Sequence, residues 1–269
     1  MRGKRQRLDH ALLERGLVDT RSRARALIMA GEVRIDGQVA TKAGAMVGAD
    51  STLELSSAPP FVSRGGEKLA AALDHTDIDV VGRTCLDIGA STGGFTDCLL
   101  QRGAAAVVSI DVGYGQLDYR LRQDPRVTVL ERLNARYLTA ADLPGELTAP
   151  VLLVMDVAFI SVTKVLPAVT AVCAECCAAL VLVKPQFECG PNQVGSGGIV
   201  AAASVRRQTL HHAAAAAAQL GWSVVAAIPS PIRGQAGNWE CFLRLHRSPQ
   251  AEKFASLADV LEGVEIPEG

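Results

Sequence analysis

Thr84-Cys-Leu-Asp-Ile-Gly-Ala-Ser-Thr-Gly-Gly-Phe95 decides the fold. Its first five residues predict a strand, and a helix is expected over 96–102. Between them runs Gly89-Ala-Ser-Thr-Gly93-Gly94. Glycines let a backbone approach a ligand with no Cβ in the way, and a helix N-terminus offers free N–H groups. Asp111 follows the next predicted strand, Ala106-Val-Val-Ser-Ile110. An acid there can accept hydrogen bonds from both ribose hydroxyls of an adenosine. The glycine spacing is not the Gly-x-Gly-x-x-Gly of dinucleotide enzymes. Asp87, two residues before the first glycine, suits a cationic ligand better than a pyrophosphate. S-adenosylmethionine, with its ammonium and sulfonium, is such a ligand.

Outward from this turn, further strands are expected at 127–129, 151–155, 179–183, 224–228 and 241–245. An alanine-rich helix is expected at 205–220. Alternation of strand and helix argues for a largely parallel sheet covered on both faces. Two polar residues end apolar strands, where such a sheet binds ligands. Asp156 follows Val151-Leu-Leu-Val-Met155, and Lys184 follows Ala179-Leu-Val-Leu-Val183. Lys184 also precedes Pro185, which holds it extended. Lys68, after a glycine pair, and Glu240, after Gly237-Asn-Trp239, are further candidates whose local sequence is equally that of a surface. His211 and His212 on the alanine helix are given no catalytic role.

The first 34 residues form a different kind of module. They hold nine arginines and lysines against Asp9, Glu14, Asp19 and Glu32. Leu8, Leu12 and Leu13 lie at helical spacing, and Gly16 stops that helix. Thr20 caps a second helix whose Ala24, Leu27 and Ile28 face inward, which leaves Arg21, Arg23 and Arg25 as a basic face. Gly31 ends it. Asp36-Gly37 then turns a hairpin over 33–39, and Leu53 and Leu55 mark a further strand. Such a face is expected to bind nucleic acid, and the alternative is an ordinary solvated face. Ser56-Ser-Ala-Pro-Pro-Phe61 is a stiff connector. The expected domains are 1–57, a linker at 58–63, 64–247, and a tail at 248–269 that ends in a short helix.

The net charge of −1 excludes a polybasic binder throughout, and 49% apolar residues suffice for a large core. Seven cysteines, with no secretory signal and no apolar run near membrane-spanning length, indicate a reduced cytoplasmic protein with free thiols. Cys173, Cys176 and Cys177 invite a metal reading but lack further ligands at matching spacing. They are expected to be small core residues on a helix, with no metal site.

Arg7-Leu-Asp9, Glu14-Arg-Gly-Leu17, Ser22-Arg23 and Gly31-Glu-Val-Arg-Ile-Asp-Gly37 together resemble the S4-type RNA-binding domain of a ribosomal protein and of pseudouridine synthases. The second module resembles the ribose 2′-O-methyltransferases of the FtsJ type, and the whole chain resembles the TlyA (hemolysin A) family of rRNA methyltransferases. The strings that carry this are Val62-Ser-Arg-Gly-Gly-Glu-Lys-Leu69, Asp87-Ile-Gly-Ala-Ser-Thr-Gly-Gly-Phe-Thr96, Asp111-Val-Gly-Tyr-Gly-Gln-Leu117, Lys184-Pro-Gln-Phe-Glu188 and Gly237-Asn-Trp-Glu240.

The resemblance implies an α/β, Rossmann-like S-adenosylmethionine-dependent methyltransferase behind a small α+β S4-type domain. It implies a catalytic Lys-Asp-Lys-Glu tetrad at Lys68, Asp156, Lys184 and Glu240. It also implies methylation of cytidine 2′-hydroxyls in rRNA of assembled ribosomal subunits. Cofactor contacts are expected from Asp87, Gly89, Ala90, Ser91, Thr92, Gly93, Gly94, Phe95, Asp111, Val112, Asn134 and Asp156. RNA contacts are expected from Arg5, Arg7, Arg21, Arg23, Arg25 and Arg64, with the protein acting as a monomer away from membranes. Lys184 is the expected proton acceptor, because apolar surroundings and a second cation lower a lysine pKa. Where a serine is expected in the Asp156 motif, this chain has Ala158. A membrane-lysing protein and an idle RNA-binding assembly factor are the competing readings.

Overall fold

The computed structural model describes residues 5–29, 31–55, 60–144, 151–174, 177–248 and 254–267. The chain divides into two compact units, Met1–Pro60 and Phe61–Gly269. Most of the expected connector, residues 56–59, lies outside the described residues, as does Cys176.

In the first unit a short strand β1 (Gln6–Arg7) leads into α1 (Leu8–Glu14) and α2 (Arg21–Met29). Thr20 caps α2 by accepting from the Arg23 amide at 3.2 Å. Next come β2 (Val33–Ile35), β3 (Gln38–Val39), β4 (Met46–Val47) and β5 (Leu53–Leu55). Asp36 and Gly37 both have positive φ, 49° and 82°, the geometry of a tight hairpin turn. β2 pairs antiparallel with β3 and with β5. The pairing of β1 with β4 was not legible in strands of only two residues each.

The second unit begins with α3 (Arg64–Asp74) and is built on β6 (Thr84–Ile88), α4 (Gly94–Gln101), β7 (Ala106–Asp111), α5 (Tyr119–Arg122), β8 (Val127–Glu131), β9 (Leu152–Met155), α6 (Leu166–Val172), β10 (Cys177–Val183), α7 (Pro185–Glu188), α8 (Ala203–Gln219), β11 (Ser223–Pro229), β12 (Cys241–Arg247) and α9 (Leu257–Glu262). Seven strands form one sheet in the order β11-β12-β10-β9-β6-β7-β8. All neighbours are parallel except β12, which runs antiparallel between β10 and β11. Every residue of β9 is buried, as a strand covered on both faces requires. On one face α6 and α8 pack with Leu166, Val169, Leu210, Ala213, Ala214 and Ala217. On the other, α3 and α4 contribute Leu69, Leu73, Phe95, Cys98 and Leu99. The alanines of α8 therefore serve close packing as well as helix propensity.

Three expectations need correction. The C-terminal segment has its expected short helix, α9, but residues 257–264 pack against the domain and do not trail. Leu261 and Val264 join the core, and Arg206 donates to the Pro267 carbonyl at 2.8 Å. Cys173 and Cys177 are buried, but Cys173 ends α6 and Cys177 opens β10, so they do not share a helix. No group of three or more His, Cys, Asp or Glu residues that could hold a metal occurs among the described residues.

The third correction concerns Asp87. It is wholly buried in β6 and lines no cavity near the glycine turn. Its Oδ2 accepts from Thr96 Oγ1 at 2.6 Å, and Thr96 Oγ1 lies 2.7 Å from Ser109 Oγ. Oδ1 has no partner. Burial pushes the Asp87 carboxyl up to about 7; the Thr96 hydrogen bond opposes this, and Asp156 and Asp111 add to it. The folded chain then holds a proton that the unfolded chain releases near the ordinary carboxylate value. This contribution to stability is complete at low pH and is lost as pH rises toward 7. Between about pH 5 and about pH 8 the melting temperature of Asp87→Asn should therefore fall less than that of the wild type. Parallel melting curves for the two proteins would contradict this.

Candidate active site

The cavity forms where the sheet changes direction of winding, between β6 and β9, at the carboxyl ends of the strands. This is where open α/β sheets bind ligands. Gly89 leaves β6 with φ 83°, and a Cβ on it would lie 2.5 Å from the Asp156 carbonyl oxygen. Only glycine fits there. Gly93 also has positive φ, and a Cβ on it would strike Leu121. The turn that results delivers Ser91, Thr92 and Gly94 to the start of α4.

All four expected polar residues line one cavity of about 660 Å³. Lys68 comes from the second turn of α3, Asp156 and Lys184 from the ends of β9 and β10, and Glu240 from just before β12. They meet as two ion pairs. Lys68 Nζ donates to Glu240 Oε2 at 2.5 Å, with both residues buried. Lys184 Nζ lies 2.5 Å from Asp156 Oδ1. Each amine thus faces a carboxylate, not the second cation expected for Lys184. Gly234 makes room for Glu240, since a Cβ there would lie 2.3 Å from Oε1.

A second recess of about 300 Å³ shares Gly89, Ser91, Asp156, Ala158 and Phe159 with the first. Its remaining walls include Asp111, Val112, Gly113, Gln116 and Asn134. Asp111 accepts from the Ser91 amide at 2.8 Å and the Gly113 amide at 2.7 Å, which fixes its carboxylate at the end of β7. Asn134 caps a short turn by accepting from the Arg136 amide. Gly89, Ala90, Ser91, Thr92, Gly94 and Phe95 line the larger cavity; Asp87 and Gly93 do not. Ala158 presents a methyl group to both cavities where the sequence motif led to a hydroxyl being expected.

These walls fit a cation with a ribose attached. Gln186 Oε1 is a buried oxygen that accepts no hydrogen bond, and it lines the large cavity together with Asp156, whose carboxylate already faces Lys184. An ammonium or sulfonium would meet those acceptors, and Asp111 stands at the strand end where a ribose diol binds.

The expected RNA-facing arginines divide. Arg5, Arg23 and Arg25 are exposed in the first unit. Arg7 and Arg21, about half exposed, each donate from Nε to the buried Asp9 at 3.0 Å. Arg7 is the first cause of the fall of Asp9 to about 2, and Arg21 adds to it. Arg64 is exposed and lines the large cavity of the second unit. Sequence reading missed another basic surface beside the smaller recess. Arg132 lies over the Tyr114 ring at 4.2 Å, and Arg136 lies near the Tyr137 ring at 5.6 Å. Both tyrosines are mostly exposed. The string Arg132-Leu-Asn-Ala-Arg-Tyr137 carried the signal, basic residues interleaved with an aromatic one.

Residues 61–247 match the FtsJ-like methyltransferase family, and residues 6–53 match the S4 domain. The chain is 48% identical over 244 residues to the 16S/23S rRNA (cytidine-2′-O)-methyltransferase TlyA of Mycobacterium tuberculosis, covering 90% of each protein. It is 38% identical over 234 residues to Hemolysin A of Brachyspira hyodysenteriae, covering 87% of this chain and 97% of that protein. A solved structure described as a hemolysin from Streptococcus thermophilus superposes with a TM-score of 0.72 at 38% identity, covering 96% of this chain and 94% of the other. With an S4 domain ahead of a methyltransferase domain, the chain belongs to the FtsJ-like methyltransferases and, among them, to the TlyA family of rRNA methyltransferases.

Proposed function

We propose that this enzyme transfers a methyl group from S-adenosylmethionine to the 2′-hydroxyl of cytidines in the rRNA of ribosomal subunits, and so works in the cytoplasm. The observation that carries this reading is the pair of lysine–carboxylate ion pairs lining one cavity, joined to a recess built from glycines and Asp111. A ribose hydroxyl is a weak acid and a poor nucleophile. Its methylation needs an aligned electrophile and a group to manage the proton. When bound, S-adenosylmethionine supplies the electrophilic methyl.

The protein's own residues do the rest. Asp111 and the amides at the start of α4 hold the nucleoside end, and Asp156 and Gln186 receive the positive charge. Lys184 first gives up a proton to Asp156 or to solvent; its neutral amine then contacts the 2′-oxygen and takes the hydroxyl proton, oriented by Asp156. Lys68 and Glu240 position the ribose, and their pairing keeps either charge from being buried alone. Exposed Arg23, Arg25, Arg64, Arg132 and Arg136 contact phosphates, which set register and not sequence. The choice of nucleotide then rests on the shape of folded rRNA and on extrusion of the target. No helix among the described residues is long and apolar enough to cross a membrane.

Lys184→Ala should lower transfer of labelled methyl groups to ribosomal subunits by at least about 100-fold. Wild-type turnover in that variant would remove Lys184 from its role. Asp111→Ala should weaken S-adenosylmethionine affinity about 10-fold in calorimetry. No heat with the wild-type protein would favour the RNA-binding factor without transfer. Replacing Arg23 and Arg25 together should flatten the salt dependence of subunit binding, by about one unit of log–log slope per lost phosphate contact. An unchanged slope would free that face from RNA.

A further inference from the structure

Glu188 ends the string Lys184-Pro-Gln-Phe-Glu188, yet the chemistry above gives it no task. It sits at the end of α7, the short helix that follows Lys184. Its carboxylate reaches across to the loop after β9. Oε2 accepts from Ser161 Oγ at 2.5 Å, and Oε1 accepts from the Val162 amide at 2.8 Å. Ser161 Oγ lies 2.7 Å from Thr163 Oγ1 and accepts from the Thr163 amide, so both ends of the bond are held. Burial raises the Glu188 pKa, and the Ser161 and Val162 hydrogen bonds oppose the rise.

The two loops joined here are those that carry Asp156 and Lys184. Contacts between them follow a regular order. Asp156 meets Lys184 at the strand tips. Phe159 meets Phe187, with ring centroids 5.3 Å apart. Ser161 and Val162 meet Glu188. The first contact lies in the cavity and faces solvent in part. The middle one includes Phe159, a non-glycine residue at φ 63° that is 92% exposed. Such a conformation persists only where its surroundings enforce it. Its ring has little packing to do so, which leaves the Glu188 bonds as the firm tie. Two hydrogen bonds at 2.5 and 2.8 Å, to a hydroxyl and to an amide, hold the carboxyl group from both oxygens.

We propose that Glu188 is a positioning residue that latches the β9 loop to the β10 loop and thereby sets the placement of Asp156 against Lys184. It touches neither substrate nor cofactor. This rests on the methyltransfer reading above. A shift of about 1 Å between reacting groups can cost on the order of 100-fold in rate, so a latch at this distance from the chemistry has a measurable effect.

The test compares Glu188→Ala, Glu188→Gln and Ser161→Ala by methyl transfer to ribosomal subunits, by calorimetry with S-adenosylmethionine and by thermal melting. Glu188→Ala should lower kcat about 30-fold while KM for subunits stays within about threefold. Glu188→Gln still accepts from the Val162 amide and pairs with the Ser161 hydroxyl, so it should recover most of kcat. Glu188→Ala combined with Ser161→Ala should be no slower than Glu188→Ala alone, because both remove one connection. Wild-type kcat in Glu188→Ala overturns the latch, as does equal loss in Ala and Gln variants. It is also overturned if activity falls only in proportion to the unfolded fraction. A wild-type protein that transfers no methyl groups would instead refute the methyltransfer reading itself.

Discussion

The active centre depends on one close approach, the backbone of Gly89 against the carbonyl of Asp156. No side chain fits between them. The Asp156 amide donates to the Ile88 carbonyl at 2.9 Å, and the Gly89 amide donates to the Ile110 carbonyl at 2.8 Å. Three parallel strands are thereby stitched together at their tips, just where the chain leaves the sheet. The glycine turn, Asp111 and Asp156 all take their positions from this junction. A larger residue at 89 would part β6 from β9 and open the floor of both cavities.

Onto that floor the fold brings four charges and pairs them. Lys68 and Glu240 are 172 residues apart and almost wholly buried. An unpaired charge at that depth costs several kcal/mol, so each protects the other. Lys184 and Asp156 are less buried and stand at adjacent strand ends. The first is a closed pair that shapes the cavity, and the second is the more open to it. Asp87, chemically similar, is shut inside the sheet with Thr96 and Ser109 and supports the turn from below.

Much of this was legible from the residues. Apolar runs ending in Asp156 and Lys184 located two strand tips, because buried parallel strands read as unbroken apolar stretches. Asp36-Gly37 located a hairpin, because few pairs tolerate two positive φ values in succession. Other features were not legible. Asp87 has the same sequence signature whether its carboxylate faces a ligand or the core. That Arg7 and Arg21 share the buried Asp9 as a partner could not be read from their positions in the chain. The C-terminal segment reads as a tail, since Leu257, Leu261 and Val264 show their packing only once α8 and β11 are beside them.

Local sequence alone determined the alternating α/β class of the fold, the glycine turn, the basic N-terminal module and the two strand-end polar residues. Those are properties of spacing, propensity and backbone sterics, which act within a few residues. The tertiary structure decided which lysine meets which carboxylate, which acids face the cavity, and how Glu188 ties two loops together. Such pairings join residues from 26 to 172 positions apart in the chain. No local pattern encodes them, because they arise only when strands from distant parts of the chain settle side by side in one sheet.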